Sequence, residues 1–173
     1  ANRLVRLVDD LLDLSRIESG NLALKLEAVS LESVIDKIIT GLEEHAGRKG
    51  VSIHMEILPD LPKAHVDESA IAQVFLNLLD NGIKYNKNGG SVTVTAVEES
   101  NFIRISIADT GIGIPEEDLP RIFERFYRVD KARSRQLGGT GLGLAIVKHI
   151  IQSHGGEVTF ESELEKGSTF RFT

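Results

Sequence analysis

The chain has 173 residues, of which 41% are hydrophobic, and it carries a formal net charge of −6. This length suits one ordinary domain with a hydrophobic core. The acidic balance argues against nucleic acid as a partner, because a nucleic-acid surface needs an excess of basic residues. There is no cysteine, which excludes disulfides, thiolate metal sites and cysteine nucleophiles. The sequence has no apolar run of the roughly 18 residues that a membrane span needs, so we expect no membrane span in this chain. The lack of cysteine suits a reducing cytoplasm, where we expect this part of the protein to lie.

Residues 1–20 predict an amphipathic helix. Its apolar positions, from Leu4 to Ile17, recur near helical spacing with charged residues between them. The apolar stripe is wide enough to pack on a partner helix, and the alternative is that it packs on its own domain. Because the chain begins inside this pattern and ends inside a strand pattern, we interpret it as part of a longer protein.

Beyond this helix, strand and helix patterns alternate. Ser30 is a predicted N-cap, the two strands in the middle of the chain are predicted to pair antiparallel, and the last two form a predicted hairpin. Residues 116–138 show no sustained period. This order predicts an α/β (α+β) two-layer sandwich, with a mixed, mostly antiparallel sheet and helices on one face. The predicted helices are 31–47, 68–85 and 141–154, and the predicted strands are 22–27, 51–57, 91–97, 101–108, 157–162 and 169–173.

The helix predicted at residues 68–85 carries nearly all of its polar groups on one face. Asparagine is a poor helix-interior residue because its amide competes for backbone hydrogen bonds, so Asn77 and Asn81, one turn apart and aligned with Lys84, suggest a function. An amide oxygen can ligate Mg²⁺, and a lysine can meet a phosphate as a point charge. The alternative is an ordinary solvated face. At about 100° per residue, the polar arc holds Gln73, Asn77, Asp80, Asn81 and Lys84, and the apolar arc holds Ile71, Val74, Phe75, Leu76, Leu78, Leu79 and Ile83.

A first glycine turn, residues 109–115, follows a predicted strand. Asp109 directly precedes Gly111 and Gly113. A carboxylate there can accept a hydrogen bond from an exocyclic amine, while the glycines let a flat base approach the backbone. The turn therefore favours adenine. The alternative is an ordinary Asp-x-Gly turn, since Ile112 and Ile114 supply none of the oxygen ligands of a calcium loop.

A second glycine turn, residues 138–143, runs directly into the last predicted helix. Glycine-rich backbone at a helix N-terminus presents N–H groups and a positive dipole end, which suit phosphates. The sequence has no Gly-Lys-Ser/Thr, and no βαβ unit leads into the turn, so this is neither a Walker loop nor a dinucleotide fold.

The segment between the two turns is predicted to be a lid. Phe123 and Phe126 lie three residues apart and are followed by a basic stretch up to residue 138. Aromatics and cations beside a phosphate loop are typical of a mobile cover. The alternative is that both aromatic rings belong to the core and the cations are solvated.

Taken in order, these segments closely resemble the nucleotide-binding motifs of bacterial sensor histidine kinases, in the superfamily that also holds gyrase, Hsp90 and MutL. The motifs are Asn77-Leu78-Leu79-Asp80-Asn81-Gly82-Ile83-Lys84-Tyr85, residues 109–115, Phe123-Glu124-Arg125-Phe126 and residues 139–143. The resemblance covers almost the whole chain. Residues 1–20 resemble the second helix of the dimerisation hairpin, through Leu11-Leu12-Asp13-Leu14-Ser15-Arg16-Ile17-Glu18, and residues 21–173 resemble the catalytic ATP-binding domain with its Bergerat-type fold.

The resemblance implies an enzyme of two-component signal transduction, which binds ATP and Mg²⁺ and transfers the γ-phosphoryl group to a histidine on the hairpin. Asn81 would hold Mg²⁺, Asp109 would read adenine, and Asn77 and Lys84 would be the catalytic residues. Implied partners are ATP, the hairpin of the same kinase and a response regulator, and the parent protein would be a homodimer that can be attached to the cell membrane. The implied nucleotide-binding set is Asn77, Asn81, Lys84, Tyr85, Asp109, Gly111, Gly113, Ile114, Tyr127, Arg128, Thr140, Gly141, Leu142 and Gly143.

Two departures from the superfamily bear on the reaction. Gyrase-like ATPases place a water-activating glutamate four residues before the magnesium asparagine, where this chain has Asn77, and an amide cannot act as that base. In addition, none of the histidines lies in the sequence context of the phospho-accepting histidine. We therefore expect the chain to bind Mg-ATP without autophosphorylating at the usual place. We interpret His45, His54, His65, His149 and His154 as structural or surface residues.

Two other functions remain open at this point. One is an ATP-driven conformational machine like the gyrase or chaperone domains, against which Asn77 argues. The other is a degenerate kinase that only binds nucleotide or a response regulator, against which the intact Asn81, Asp109 and both glycine turns argue.

Overall fold

The computed structural model describes residues 24–58, 60–130 and 139–173, together with Val8. Apart from Val8, which is helical, the helix predicted at residues 1–20 lies outside the described residues. The described helices are α1 (Leu31–Lys49), α2 (Glu68–Lys84) and α3 (Gly143–Ser153), with a 3₁₀ helix at Glu116–Arg121. The strands are β1 (Glu27–Val29), β2 (Ser52–Ile57), β3 (Ala64–Val66), β4 (Ser91–Glu99), β5 (Phe102–Asp109), β6 (Val158–Glu163) and β7 (Gly167–Phe172).

Five of these strands form one mixed sheet in the order β2-β4-β5-β7-β6. The β2–β4 pair is parallel and the other three pairs are antiparallel. The helices pack on one face of this sheet. The predicted two-layer sandwich is confirmed, including the antiparallel β4–β5 pair and the closing β6–β7 hairpin.

The core lies between the sheet and the helices. Strand register aligns Val94 with Ile107 and Ile107 with Phe170, and all three side chains are buried. Because side chains alternate between the faces of a strand, this row faces the helices. Phe75 of α2 packs on the same face of the sheet, with its ring centroid 5.7 Å from that of Phe172.

Two predictions near the periphery of the fold are wrong. Of the strand predicted at residues 22–27, residues 22 and 23 lie outside the described residues, residues 24–26 are not in a strand, and β1 begins at Glu27. It pairs antiparallel with β3, a strand that was not predicted. Three-residue strands are too short to show a period in the sequence. Leu76, predicted on the apolar arc, is 45% exposed, whereas the other six residues of that arc are buried.

Polar groups fix both ends of α2. The Asp67 side chain caps the first turn by accepting a hydrogen bond from the Ala70 N–H, at 3.0 Å. Just beyond the last turn, Asn86 is buried and its amide group donates to the carbonyl oxygens of Gly82 and Ser91, at 3.0 and 2.9 Å. Asn86 thereby connects the C-terminal end of α2 to the start of β4. These contacts set the position of the polar face of α2 over the sheet.

Candidate functional site

The polar face of α2 and both glycine turns line one cavity of about 750 Å³. This volume lies within the range of sites that bind small molecules and cofactors. The predicted polar arc of α2 reaches the cavity in full, through Gln73, Asn77, Asp80, Asn81 and Lys84. The polar face of α2 therefore forms part of the wall of a solvent-accessible cavity.

Gly111 and Leu142 are the two residues of the predicted nucleotide set that do not line this cavity. Leu142 is fully buried in the core, and its N–H donates to the Thr140 hydroxyl at 3.3 Å. Gly111 packs between Tyr85 and the Asp109 carboxyl group, and an added Cβ would come within 2.6 Å of the Tyr85 carbonyl oxygen. The cavity wall contains Asn77, Asn81, Lys84, Tyr85, Asp109, Gly113, Ile114, Tyr127, Arg128, Thr140, Gly141 and Gly143.

Asp109 faces the helices at the end of β5. Strand register places it opposite Val92 and Ser168. Helix α2 packs closely here, since Gly82 has no side chain and an added Cβ would lie only 3.0 Å from Val92 Cγ2. Burial raises the pKa of the Asp109 carboxyl, and hydrogen bonds from the N–H groups of Gly111 and Ser168 partly oppose the rise. A half-buried carboxyl group in a cavity suits a ligand that brings a hydrogen-bond donor.

The β6–β7 hairpin holds the first glycine turn in place. Glu165 N–H donates to the Ile112 carbonyl at 2.7 Å, and Ile114 N–H donates to the Ser162 hydroxyl at 2.8 Å. Gly113 has φ of +67°, and a Cβ there would overlap the Glu163 carbonyl group. Only glycine fits this position, which explains the second glycine of the motif.

Asn77 carries an unsatisfied polar atom. Its Nδ2 is buried and has no hydrogen-bond partner among the residues that the structure describes. Buried polar groups are nearly always paired, so this amide is expected to meet a ligand. It lies beside the N-terminus of α3, where the first backbone N–H groups have no partner within the helix. A Cβ on Gly143 would lie 3.1 Å from Asn77 Oδ1, so the hydrogen-bond donors at the N-terminus of α3 lie next to this side chain.

Lys84 supplies a positive charge to the same cavity. The residue is only 8% exposed, and its Nζ lies 3.6 Å from Asp80 Oδ2. The adjoining carbonyl group is also satisfied, since Lys49 Nζ of α1 donates to Lys84 O at 2.8 Å. A largely buried ammonium group at a cavity wall favours an anionic ligand.

Tyr127 lines the cavity and is held by two residues of the 3₁₀ helix. Its hydroxyl donates to the Asp118 carboxylate, and the Arg121 guanidinium lies 4.2 Å from its ring centroid. The hydrogen bond to Asp118 is the main cause that raises the pKa of the Tyr127 hydroxyl. Tyr127 and Arg128 both line the cavity, as predicted for lid residues.

The two phenylalanines of this segment differ in environment. Phe123 packs on the core, with its ring 5.5 Å from that of Phe160, whereas Phe126 is 56% exposed. The core alternative is therefore right for Phe123 and wrong for Phe126. Phe126 N–H donates to the Gly141 carbonyl at 2.8 Å, which joins this segment to the second glycine turn. The basic stretch at residues 131–138 lies outside the described residues.

Three of the histidines have the structural or surface position that we expected, and one lines the cavity. His154 joins α3 to α2 by accepting from Asp67 N–H at Nε2, at 3.1 Å, while its Nδ1 contacts Ile150 O at 2.8 Å. His54 and His65 are exposed. His45 lines the cavity from α1, which its sequence position gave no reason to expect.

Neither a preformed acidic metal cluster nor a membrane span is found in the described part of the chain. No group of three or more histidine, aspartate or glutamate side chains there could hold a metal ion. No described helix is both long enough and apolar enough to cross a bilayer.

Comparison with known proteins gives the family of this fold and site. The family model described as "Histidine kinase-, DNA gyrase B-, and HSP90-like ATPase" matches residues 66–173. Sensor histidine kinase WalK of Bacillus subtilis is 41% identical over 99% of this chain, which spans 28% of WalK.

Two solved structures show the same likeness. ShkA, solved in complex with AMPPNP, matches with a TM-score of 0.86 and 33% identity over 98% of this chain and 35% of ShkA. Histidine kinase ThkA, in complex with response regulator protein TrrA, matches with a TM-score of 0.71 and 26% identity over 95% of this chain and 48% of ThkA. The chain thus belongs to the histidine kinase-, gyrase B- and HSP90-like ATPase family, and it is an ATP-binding catalytic domain of the sensor histidine kinase type.

Proposed function

We propose that this chain binds Mg-ATP in the cavity beside α2 and transfers the γ-phosphoryl group to a histidine on a dimerisation hairpin. The observation that carries the proposal is the convergence of α2, the turn after β5 and the turn before α3 on one cavity, where Asn77 Nδ2 is buried and unpaired among the described residues. The AMPPNP bound to ShkA supports a nucleotide as the ligand.

The cavity offers different chemistry at its two ends. Asp109 can accept a hydrogen bond from the exocyclic amine of adenine, and the Gly113 turn leaves room for the base. Lys84 and the N-terminus of α3 supply positive charge and N–H donors, which suit the phosphates. The base therefore lies towards β5 and the phosphates lie between α2 and α3.

The residues present fit a magnesium ion held mainly by the nucleotide. Mg²⁺ in phosphate sites usually binds one or two protein oxygens, with the remaining positions filled by phosphates and water. Asn81, whose side chain has an amide oxygen, lines the cavity, and no acidic cluster competes with it among the described residues. When bound, the ion would neutralise charge on the phosphate oxygens.

The side chains favour transfer to an incoming nucleophile over hydrolysis. An amide at Asn77 cannot accept a proton from water, so bound ATP has no general base at this position. The γ-phosphorus would lose its bond to the bridging oxygen and gain one to an imidazole nitrogen of the hairpin. The chain would contribute by positioning and by stabilising charge, as in other phosphoryl transfers.

The parent protein and its partners follow from the same proposal. Residues 1–20 would be the second hairpin helix and residues 21–173 the catalytic domain, in a homodimeric protein that can be attached to the membrane while this domain lies in the cytoplasm. The response regulator bound to ThkA supports a response regulator as the phosphoryl acceptor after the histidine. The net charge of −6 argues against nucleic acid.

The test is to supply the purified chain with γ-labelled ATP, Mg²⁺ and a separately made hairpin that carries the acceptor histidine. We expect acid-labile, base-stable label on the hairpin and little free phosphate. Free phosphate without labelled hairpin would favour the conformational ATPase, and saturable binding without either product would favour a binding module. Asp109→Asn serves as the control for contaminating kinases, because it should lose labelling while remaining folded.

A further inference from the structure

A cluster of polar side chains joins α1 to the end of the cavity that we assign to the phosphates. It consists of His45, Asp80 and Lys84, all of which line the cavity. Asp80 Oδ1 lies 3.3 Å from His45 Nδ1, and Asp80 Oδ2 lies 3.6 Å from Lys84 Nζ. Each carboxylate oxygen therefore has its own partner, one on α1 and one on α2 itself.

From this arrangement we infer that Asp80 is a positioning residue for Lys84, and that His45 fixes the orientation of Asp80. The inference rests on the proposed function, since it concerns the lysine assigned to the phosphates. It adds two residues, His45 and Asp80, to which neither the motifs nor the family resemblance gave a role.

The burial of Lys84 makes a counter-charge necessary. The Lys84 side chain is 10% exposed and that of Asp80 is 25% exposed, and a shielded ammonium group without an anionic partner is strongly disfavoured. Asp80 precedes Lys84 by four residues on the helix, which is the favourable order for such a pair. Asp80 also limits the rotamers of a flexible side chain, so less freedom remains to be lost when a ligand binds.

The length of the contact leaves Lys84 available to a ligand. At 3.6 Å, the pair exceeds the usual hydrogen-bond distance and acts through charge. The ammonium group keeps its N–H donors for phosphate oxygens while Asp80 holds it near the cavity wall. A tight hydrogen bond would have occupied one of these donors.

His45 restrains the carboxylate from a second helix. Its side chain is 40% exposed, and its ring contacts the oxygen that Lys84 does not use. Because α1 packs on α2, this contact ties the direction of the carboxylate to the packing of the two helices. Rotation of Asp80 away from Lys84 would break the contact with His45.

A double-mutant cycle on the full chain tests the inference. We compare Kd for Mg-ATP, measured by calorimetry, in wild type, Asp80→Asn, Lys84→Met and the double variant, with thermal midpoints as the check on folding. We expect Asp80→Asn to weaken Mg-ATP binding about tenfold. In the Lys84→Met background it should have no further effect, because Asp80 acts through Lys84. Asp80→Glu should recover part of the loss.

Two further measurements separate positioning from structural damage. Adenosine lacks phosphates, so its Kd should change less than twofold in Asp80→Asn. His45→Ala should weaken Mg-ATP binding about threefold in the wild-type background and not at all beside Asp80→Asn. Asp36→Asn, an exposed aspartate of α1, is the matched control for removing one negative charge and should leave both affinities unchanged.

The outcomes that overturn the inference are distinct. Additive losses in the cycle, an equal loss for adenosine, or tighter Mg-ATP binding in Asp80→Asn would each show that Asp80 does not position Lys84. These results would leave the proposed function standing, provided that wild type binds Mg-ATP. If wild type shows no saturable Mg-ATP binding, the proposed function fails and this inference fails with it.

Discussion

The side-chain oxygen of Asn77 lies against Gly143, the first residue of α3. A Cβ added to Gly143 would come within 3.1 Å of Asn77 Oδ1, a distance at which one of the two groups must shift. The asparagine motif and the second glycine turn thus meet in space. The last glycine of that turn therefore leaves room for the close approach of the Asn77 side chain to α3.

This contact predicts the effect of Gly143→Ala. The new methyl group should displace the Asn77 amide and weaken Mg-ATP binding several-fold, while the midpoint of thermal unfolding changes little because alanine suits the start of a helix. Calorimetry with Mg-ATP measures the first effect and a thermal scan the second.

Gly47→Ala is the matched control for that substitution. Gly47 lies inside α1, and a Cβ there would meet nothing within 4 Å. Replacing a helix-interior glycine by alanine is worth about 0.5–1 kcal/mol, so this variant should be more stable in urea and bind Mg-ATP normally. Equal affinities for both alanine variants would contradict the role given to the contact between Asn77 and Gly143.

The parts of the site that depend on local pattern could be predicted from the sequence. The polar arc of α2 follows from helical periodicity alone, and the glycine turns follow from backbone requirements at positions such as Gly113. These features need no knowledge of which elements pack together. The confirmed α/β sandwich likewise follows from alternation within single strands.

The parts that depend on packing between distant elements could not be predicted. His45 reaches the cavity only because α1 packs on α2, and nothing within α1 marks that contact. Asn86 gave no signal, because a buried asparagine after a helix looks in sequence like an ordinary turn residue. Leu76 belongs to the apolar arc by angle, and its exposure of 45% depends on what covers that side of α2.

Asp109→Asn should separate nucleotide recognition from stability. Asparagine can still accept from Gly111 N–H, but it loses the charge that strengthens a hydrogen bond to an amine. Hydrogen bonds to charged groups contribute about 1.5–3 kcal/mol and neutral ones about 0.5–1.5 kcal/mol, so loss of the charge should weaken the affinity for Mg-ATP roughly tenfold. Calorimetry measures this fall, and retained affinity would contradict the adenine-reading role of Asp109.

The same variant has a pH dependence with a defined sign. Burial raises the pKa of Asp109 in the folded chain above 3.8, so the folded state holds this proton more tightly than the unfolded state. The stability that this proton contributes to wild type is therefore lost as the pH rises from 3.8 through the raised pKa. The variant has no carboxyl group at this position and does not undergo that loss. Urea unfolding should show that the free energy of unfolding of the variant, relative to that of wild type, is higher at pH 7.5 than at pH 4.

Asp67→Ala should destabilise the fold through the N-terminus of α2. Loss of an N-cap side chain costs about 1 kcal/mol, which urea unfolding at pH 7 would measure. Asp67→Ser retains an accepting oxygen and should recover most of the loss. The hydrogen bond between Asp67 N–H and His154 involves the backbone and is kept in both variants.

The destabilisation by Asp67→Ala should shrink in acid. Burial would raise the pKa of this carboxyl, but hydrogen bonds, first among them those from the Ser69 hydroxyl and Ala70 N–H, outweigh it and lower the pKa from 3.8 to about 2. The charged cap therefore contributes its full stability above 3.8 and loses it as the pH falls towards 2. A difference in unfolding free energy between wild type and Asp67→Ala that stays constant from pH 6 to pH 2.5 would contradict this account.

Asn81→Ala tests the magnesium site with a readout that does not depend on turnover. If the Asn81 amide oxygen binds Mg²⁺, wild type should bind ATP more tightly in Mg²⁺ than in EDTA, and the variant should lose most of this difference. Alanine favours a helix, so the thermal midpoint should stay the same or rise. The matched control is Asn101→Ala in the exposed β4–β5 turn, which should keep the wild-type response to Mg²⁺. A variant at position 81 with the full response would show that the ion is held without this side chain, and the assignment of Asn81 would have to be withdrawn.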